Sequence, residues 1–207
     1  MTLDKDKKIL IVGLGLIGGS YAAALSQNGW EVGAIDPDPQ AIAFAEKAGF
    51  IRHGRTEPEA EYVGKFDIVV FALYPHMLLE WLEKYGPWLR DGALATDVTG
   101  VKSGVVEKAQ SLLFPRVGFI GAHPMAGREV SGVENARADL FRGANYIVTP
   151  TSANTEEAIA CCEALGRTLG ARNISRLTPK EHDEMIGFLS QLTHCIAVAL
   201  MTCKESR

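Results

Sequence analysis

The chain has 207 residues, 47% of them hydrophobic and 22% charged, a composition typical of a globular domain with a full core. A net charge of −4 without any basic run argues against a nucleic-acid partner. The charged N-terminus MTLDKDKK lacks an apolar signal core, and the apolar stretch 195–201 is too short to cross a bilayer, so a cytoplasmic protein without a membrane partner is expected. The four cysteines, Cys161, Cys162, Cys195 and Cys203, form no C-x-x-C pair and read as reduced structural thiols, with no metal expected.

Taken in chain order, the apolar run 7–13 predicts a buried strand, and 16–29 a helix stopped by Asn28-Gly29. A strand over 31–36 and a helix over 39–49 follow. Next come a strand over 66–73, a helix over 77–86, a strand over 92–98, a helix over 103–113 and a strand over 116–122. A loop then leads to a strand over 144–150, a helix over 155–170 and a last strand over 171–177. From 178 the pattern becomes one long helix, opened by the capping box Thr178-Pro179-Lys180-Glu181 and interrupted only by Gly187. Alternating strands and helices predict an α/β, Rossmann-like doubly wound and mainly parallel sheet over 1–177. Residues 178–207 are set apart as the first long helix of a C-terminal helical domain.

Between the first strand and first helix, GLGLIGGS places Gly13, Gly15 and Gly18 in the pattern G-x-G-x-x-G. The three glycines suit a tight turn, close approach of backbone to a pyrophosphate, and close packing of helix on strand, with Leu16 and Ile17 at the phosphate-binding helix start. Asp36, eighteen residues after Gly18, ends the second strand, where a carboxylate accepts ribose hydroxyls and repels a 2′-phosphate; the expected cofactor is NAD, not NADP. Leu73, Tyr74 and Pro75 end the third clear strand, on the path of the dinucleotide.

The segment GAHPMAGREVSG, 121–132, puts His123 just past the end of a strand, where such sheets place substrate sites. A neutral imidazole there suits removal of a hydroxyl proton as hydride leaves. The segment resembles the G-x-H-P-M-A-G-x-E-x-S-G signature of the prephenate and arogenate dehydrogenases of tyrosine biosynthesis. GLGLIGGS is similar to that family's cofactor loop, and TDVTGVK (96–102) to its Asp-x-x-Ser-Val-Lys segment. LFRGANYIVTP (140–150) is similar to its Leu-Phe…Thr-Pro strand, and HDEMIGFLSQLTH (182–194) to its His-Asp…Ser-His-Leu-Pro-His helix.

The resemblance implies oxidative decarboxylation of prephenate or arogenate. His123 would be the catalytic acceptor, Glu129 would help organise the site and His194 would face the substrate. Asp97 and Thr99 would lie against the cofactor, with Thr99, Gly100 and Ser190 against the substrate. Asp183, Gly187, Ser190, His194 and Ala197 share one helical face, which would aim Ser190 and His194 into one pocket. Gly100 stands where the family commonly has serine, so either Thr99 supplies the hydroxyl or that role is absent. Arg128 and Lys102 are the cations expected near a dicarboxylate. The apolar circumference of the last helix suggests the N-terminal part of a longer, homodimeric protein. Two rivals stay open: a β-hydroxyacid dehydrogenase-like enzyme with a lysine acid–base, and an NAD-sensing module without turnover.

Overall fold

In the computed structural model, which describes residues 2–203, eight strands form one sheet in the order β3-β2-β1-β4-β5-β6-β7-β8. The first half alternates β1 (Lys8–Val12), α1 (Leu16–Gln27), β2 (Glu31–Ile35), α2 (Pro39–Lys47), β3 (His53–Arg55), α3 (Ala60–Val63), β4 (Ile68–Phe71) and α4 (Pro75–Tyr85). The second continues through β5 (Leu94–Asp97), α5 (Val105–Leu113), β6 (Gly118–Met125), β7 (Asn145–Thr149), α6 (Glu156–Thr168) and β8 (Asn173–Arg176). α7 (Pro179–Ile186), a π-helical turn (Gly187–Gln191) and α8 (Leu192–Cys203) complete it; residues 204–207 of the expected last helix lie outside the described residues.

The sheet is covered on both faces, as the nearly unbroken apolar strands require. Along β1, Ile9 and Ile11 pack into a core with α1, α2 and α6, while Leu10 and Val12 pack into a second core with α4 and α5. The expected doubly wound sheet is therefore present, with two additions. β3 is short and polar at the sheet edge, and α3 is a single turn, so neither carries a hydrophobic period. β7 runs antiparallel to β6, while every other pair is parallel. The β6–β7 connection holds no crossover helix, and a chain returning without one pairs antiparallel.

The final helix also departs from a uniform rod. Its capping box forms, with Thr178 Oγ1 accepting from the Glu181 N–H and Glu181 accepting from the Thr178 N–H. The π-helical turn then inserts at the one position where glycine had marked a break. By length and composition Pro179–Cys203 would suffice to cross a membrane, and little of its apolar part is buried. The stretch 195–201, judged alone, had seemed too short for that.

Candidate active site

β1 and β4 lie side by side while the chain winds outward from them in both directions, so a crevice opens at their carboxyl ends. The glycine loop lines it. Gly13 has φ +96°, and an added Cβ would lie 2.5 Å from the Ala72 carbonyl oxygen. At Gly18 it would lie 1.9 Å from the Gly13 carbonyl oxygen, so α1 sits against β1 only without a side chain there. At Gly15 it would meet nothing, because that face looks into the cleft. No side chain caps α1 and no acid occupies its first turn, which leaves its N-terminal N–H groups and positive dipole end for an anion. Asp36 accepts hydrogen bonds from the N–H of Leu14 (2.6 Å) and of Asp38 (2.9 Å), fixing its carboxylate on the rim.

The cleft encloses about 670 Å3. Gly13, Gly15, Leu16, Ile17, Gly18, Asp36, Leu73, Tyr74, Pro75, Thr99, Gly100 and His123 all line it. The sequence had placed His123 in a loop; pairing with β7 extends β6 to Met125, so His123 stands on a strand opposite Ile147.

Asp97 does not line the cleft. It is fully buried beneath it, with its carboxylate accepting from the Lys102 Nζ (2.6 Å), the Ala122 N–H (3.1 Å), the Thr99 N–H (3.0 Å) and the Thr99 hydroxyl. Lys102, also fully buried, donates further to the Ala122 carbonyl (2.7 Å) and to Thr99 Oγ1 (3.3 Å). Three acceptors match the three protons of an ammonium. The pair thus grips both backbone groups of the residue before His123. Burial pulls the Lys102 pKa down, against the upward pull of Asp97. Two expectations change: Asp97 supports the floor instead of touching a cofactor, and Lys102 is no cation for a substrate carboxylate. Thr99 also points its hydroxyl into this buried network and to the Val101 carbonyl (2.8 Å), so it does not replace the serine absent at Gly100.

His123 Nδ1 lies 2.9 Å from His182 Nε2, and His182 Nδ1 lies 2.8 Å from Asp183 Oδ1. Asp183 also accepts from the N–H groups of Lys102 and Ser103, both at 2.8 Å. Burial pushes the His123 pKa down to about 4, helped by the charges of Lys102 and His182 and opposed by Asp97 and Asp183. Burial also lowers His182, against its hydrogen bond to Asp183. For Asp183 burial raises the pKa, but hydrogen bonds from His182, Ser103 and Lys102 outweigh it and hold the carboxyl at about 2. Both imidazoles are thus neutral at pH 7, and Asp183 is charged.

Of the remaining expected residues, one reaches the cleft. Arg128 lines the cleft at its open rim; Glu129 beside it is exposed and does not line it. Ser190 and His194 are exposed, as is every residue from 188 to 203, because nothing among the described residues packs on that part of the helix. The histidine that reaches His123 is His182, on α7. The segment HDEMIGFLSQLTH contains it, but helical spacing alone favoured the face beginning one residue later.

Residues 21–175 match the family model described as the nucleotide-binding domain of prephenate dehydrogenase. The chain is 36% identical over 201 residues to the prephenate dehydrogenase of Lactococcus lactis, covering 94% of this chain and 53% of that protein. A structure of prephenate dehydrogenase from A. aeolicus, in complex with hydroxyphenyl propionate and NAD+, superposes with a TM-score of 0.87 at 30% identity, covering 98% of this chain and 70% of the other. Synechocystis arogenate dehydrogenase superposes with a TM-score of 0.88 at 30% identity, covering 97% and 70%. The chain spans about half the length of the curated relatives it matches.

Proposed function

Since the chain belongs to the prephenate dehydrogenase family, we propose that it binds NAD in the β1–β4 cleft and carries the hydride-transfer centre of an enzyme that oxidises prephenate to 4-hydroxyphenylpyruvate, or arogenate to tyrosine, in the cytoplasm. One observation carries this assignment: the glycine loop and His123 line a single cleft. The residues present fit the dinucleotide, with an open face at Gly15, an uncapped helix N-terminus and Asp36 fixed on the rim. When bound, NAD supplies the hydride acceptor.

His123 does the protein's share of the chemistry. Its Nε2 accepts the proton of the ring hydroxyl as the hydride on the same carbon leaves. The electron pair of the bond to the ring carboxylate then falls into the ring, CO2 departs, and the ring becomes aromatic. Neutral at pH 7, His123 has this lone pair available. A Cβ added at Gly100 would lie 3.8 Å from the ring of His123, which makes Gly100 a natural neighbour for substrate.

The exposed apolar side chains of Phe188, Leu189, Leu192, Ile196, Leu200 and Met201 are read as the start of a helical domain that pairs with a second copy of the protein. The charged first turns of α7 and the docking of His182 on the site favour this role for Pro179–Cys203 over a membrane span.

The test is NADH absorbance with prephenate, arogenate and a 3-hydroxyacid, each with NAD and NADP. Hydride transfer from prephenate or arogenate, with NAD strongly preferred, is expected. Turnover of the 3-hydroxyacid alone would assign the β-hydroxyacid chemistry, and NAD binding without any turnover a sensing module. Asp36→Asn should relax the preference for NAD.

A further inference from the structure

We propose that His182 and Asp183 are positioning residues that lock the His123 imidazole in its Nδ1–H tautomer, so that Nε2 faces the cleft as a bare acceptor. The catalytic consequence rests on the role given to His123 above; the tautomer itself does not.

The argument is an inventory of protons along one chain of contacts. Asp183 is charged, so its oxygens only accept. Two of its acceptor positions are already filled by the backbone N–H groups of Lys102 and Ser103, which fix the carboxylate at the start of α5's lead-in turn. The atom of His182 that meets Asp183 Oδ1 at 2.8 Å is Nδ1, which must therefore carry a proton. His182 is fully buried and neutral, so its other nitrogen, Nε2, carries none and can only accept. That nitrogen lies 2.9 Å from His123 Nδ1, which must then donate. A neutral imidazole has one proton, and His123 has spent it inward. Its Nε2 is left with a free lone pair, near the open space at Gly100, where an added Cβ would lie 3.9 Å away.

Without such a constraint an imidazole in water favours the opposite tautomer, with the proton on Nε2. That form could donate to a substrate hydroxyl but could not take its proton. The arrangement is anchored through His182, which is fully buried. The capping box sets where α7 begins, and α7 brings His182 and Asp183 in together. His182 does not line the cleft, so it acts on substrate only through His123.

The decisive experiment is long-range ¹H–¹⁵N correlation NMR of the ¹⁵N-histidine-labelled chain near pH 7, without substrate, with resonances assigned by single-histidine variants. His123 is expected to show a protonated Nδ1 and a bare Nε2, and His182→Phe, which keeps a ring but removes the acceptor, is expected to return His123 to the Nε2–H form. A proton on Nε2 of His123 in the unmodified chain overturns the proposal, whether or not any variant folds. So does an unchanged His123 tautomer in a folded His182→Phe chain. In an active enzyme, His182→Phe should lower kcat by on the order of 10-fold to 100-fold with KM for NAD unchanged. His182→Gln, whose side-chain oxygen can accept near the position of Nε2, should recover part of that loss; equal losses in both variants count against a tautomer role. If no substrate yields NADH while the Nδ1–H tautomer is observed, the functional assignment fails and this proposal stands.

Discussion

At Gly18, on the wall of the cleft built from β1 and α1, an added methyl would lie 1.9 Å from a backbone oxygen; at Gly100, on the facing wall, it would meet nothing closer than the His123 ring at 3.8 Å. The first wall is held by backbone contact. Its shape follows from where side chains are missing, and its ligand is met by N–H groups and a dipole. The second wall is held by side chains in sequence: Asp97 and Lys102 under β6, then Asp183, His182 and His123 above them. Backbone contact tolerates almost any side chain nearby but no added atom. A polar chain tolerates added atoms but no lost partner. Substitutions on the two walls should therefore fail in different ways.

The largest effect is expected at Lys102. Lys102→Met removes one half of a fully buried ion pair and leaves the Asp97 carboxylate without its countercharge, a change that costs about 3–5 kcal/mol in comparable buried pairs. Domain stabilities run to about 5–15 kcal/mol, so the variant should unfold at much lower urea or be insoluble. Urea denaturation followed by circular dichroism measures it. A loss under about 1 kcal/mol would show that the floor under His123 does not depend on the pair.

His123→Asn should leave the fold and NAD affinity near normal while turnover drops by on the order of 10². The same residue gives a pH signature. An ordinary histidine protonates near 6.5 and would switch off kcat/KM there. With Lys102 and His182 opposing its protonation, Asp97 and Asp183 favouring it, and burial prevailing, His123 stays neutral down to about 4. The acid limb of kcat/KM should therefore lie near pH 4, with a flat profile between pH 6 and 7. A limb at 6.5 would place His123 in a wetter setting.

The difference between the walls also explains what could be read from sequence. The glycine wall was legible residue by residue, because a strand, three spaced glycines and an acid at the end of the next strand are local features with local causes. Apart from β3 and α3, the strands and helices of the sheet were legible for the same reason, from period and punctuation. The second wall was legible only as a set of motifs. Asp97 and Thr99 were expected at the cofactor from the family resemblance, yet their polar atoms turn down to Lys102, a contact between β5, the turn after it and β6 that no local pattern encodes. His182 escaped because the helical face was drawn through Asp183, Ser190 and His194, whereas the adjacent pair His182 and Asp183 makes the contacts to His123, Lys102 and Ser103. The antiparallel β7 escaped because strand direction depends on how the chain returns, not on the strand's own residues.

Gly18→Ala probes the first wall directly. Its Cβ would meet the Gly13 oxygen, the Gly13 carbonyl carbon at 3.0 Å and Ala72 Cβ at 2.9 Å, all parts of the scaffold that cannot swing aside. α1 must shift off β1, at about 1–3 kcal/mol for an overpacked site. The larger consequence is for the nucleotide, since the shift moves the N–H groups at the helix start. NAD affinity, read by quenching of intrinsic fluorescence or by calorimetry, should fall by more than the loss of stability. Unchanged affinity would mean that the phosphate does not rest on this helix.

Gly100→Ala should have the smallest effect on stability and the opposite sign. Gly100 does not need a positive φ, and its Cβ direction is occupied only by ordinary contact with His123 Cε1 and Nε2 at 3.8 and 3.9 Å. Replacing glycine where alanine fits removes conformational freedom from the unfolded chain and stabilises by about 0.4–1 kcal/mol. The methyl would nonetheless stand beside the bare nitrogen of His123, in the space a substrate ring hydroxyl must enter. Urea denaturation should thus show a slightly more stable protein, while KM for the proposed substrate, prephenate or arogenate, rises and NAD affinity is untouched. The two glycines would then separate the walls cleanly. At Gly18 a methyl harms the scaffold and the nucleotide together; at Gly100 it harms neither and obstructs only the approach to His123. Should Gly100→Ala lose stability, or weaken NAD as much as substrate, the open space beside His123 belongs to the scaffold or to the cofactor, and the substrate must approach Nε2 from another side.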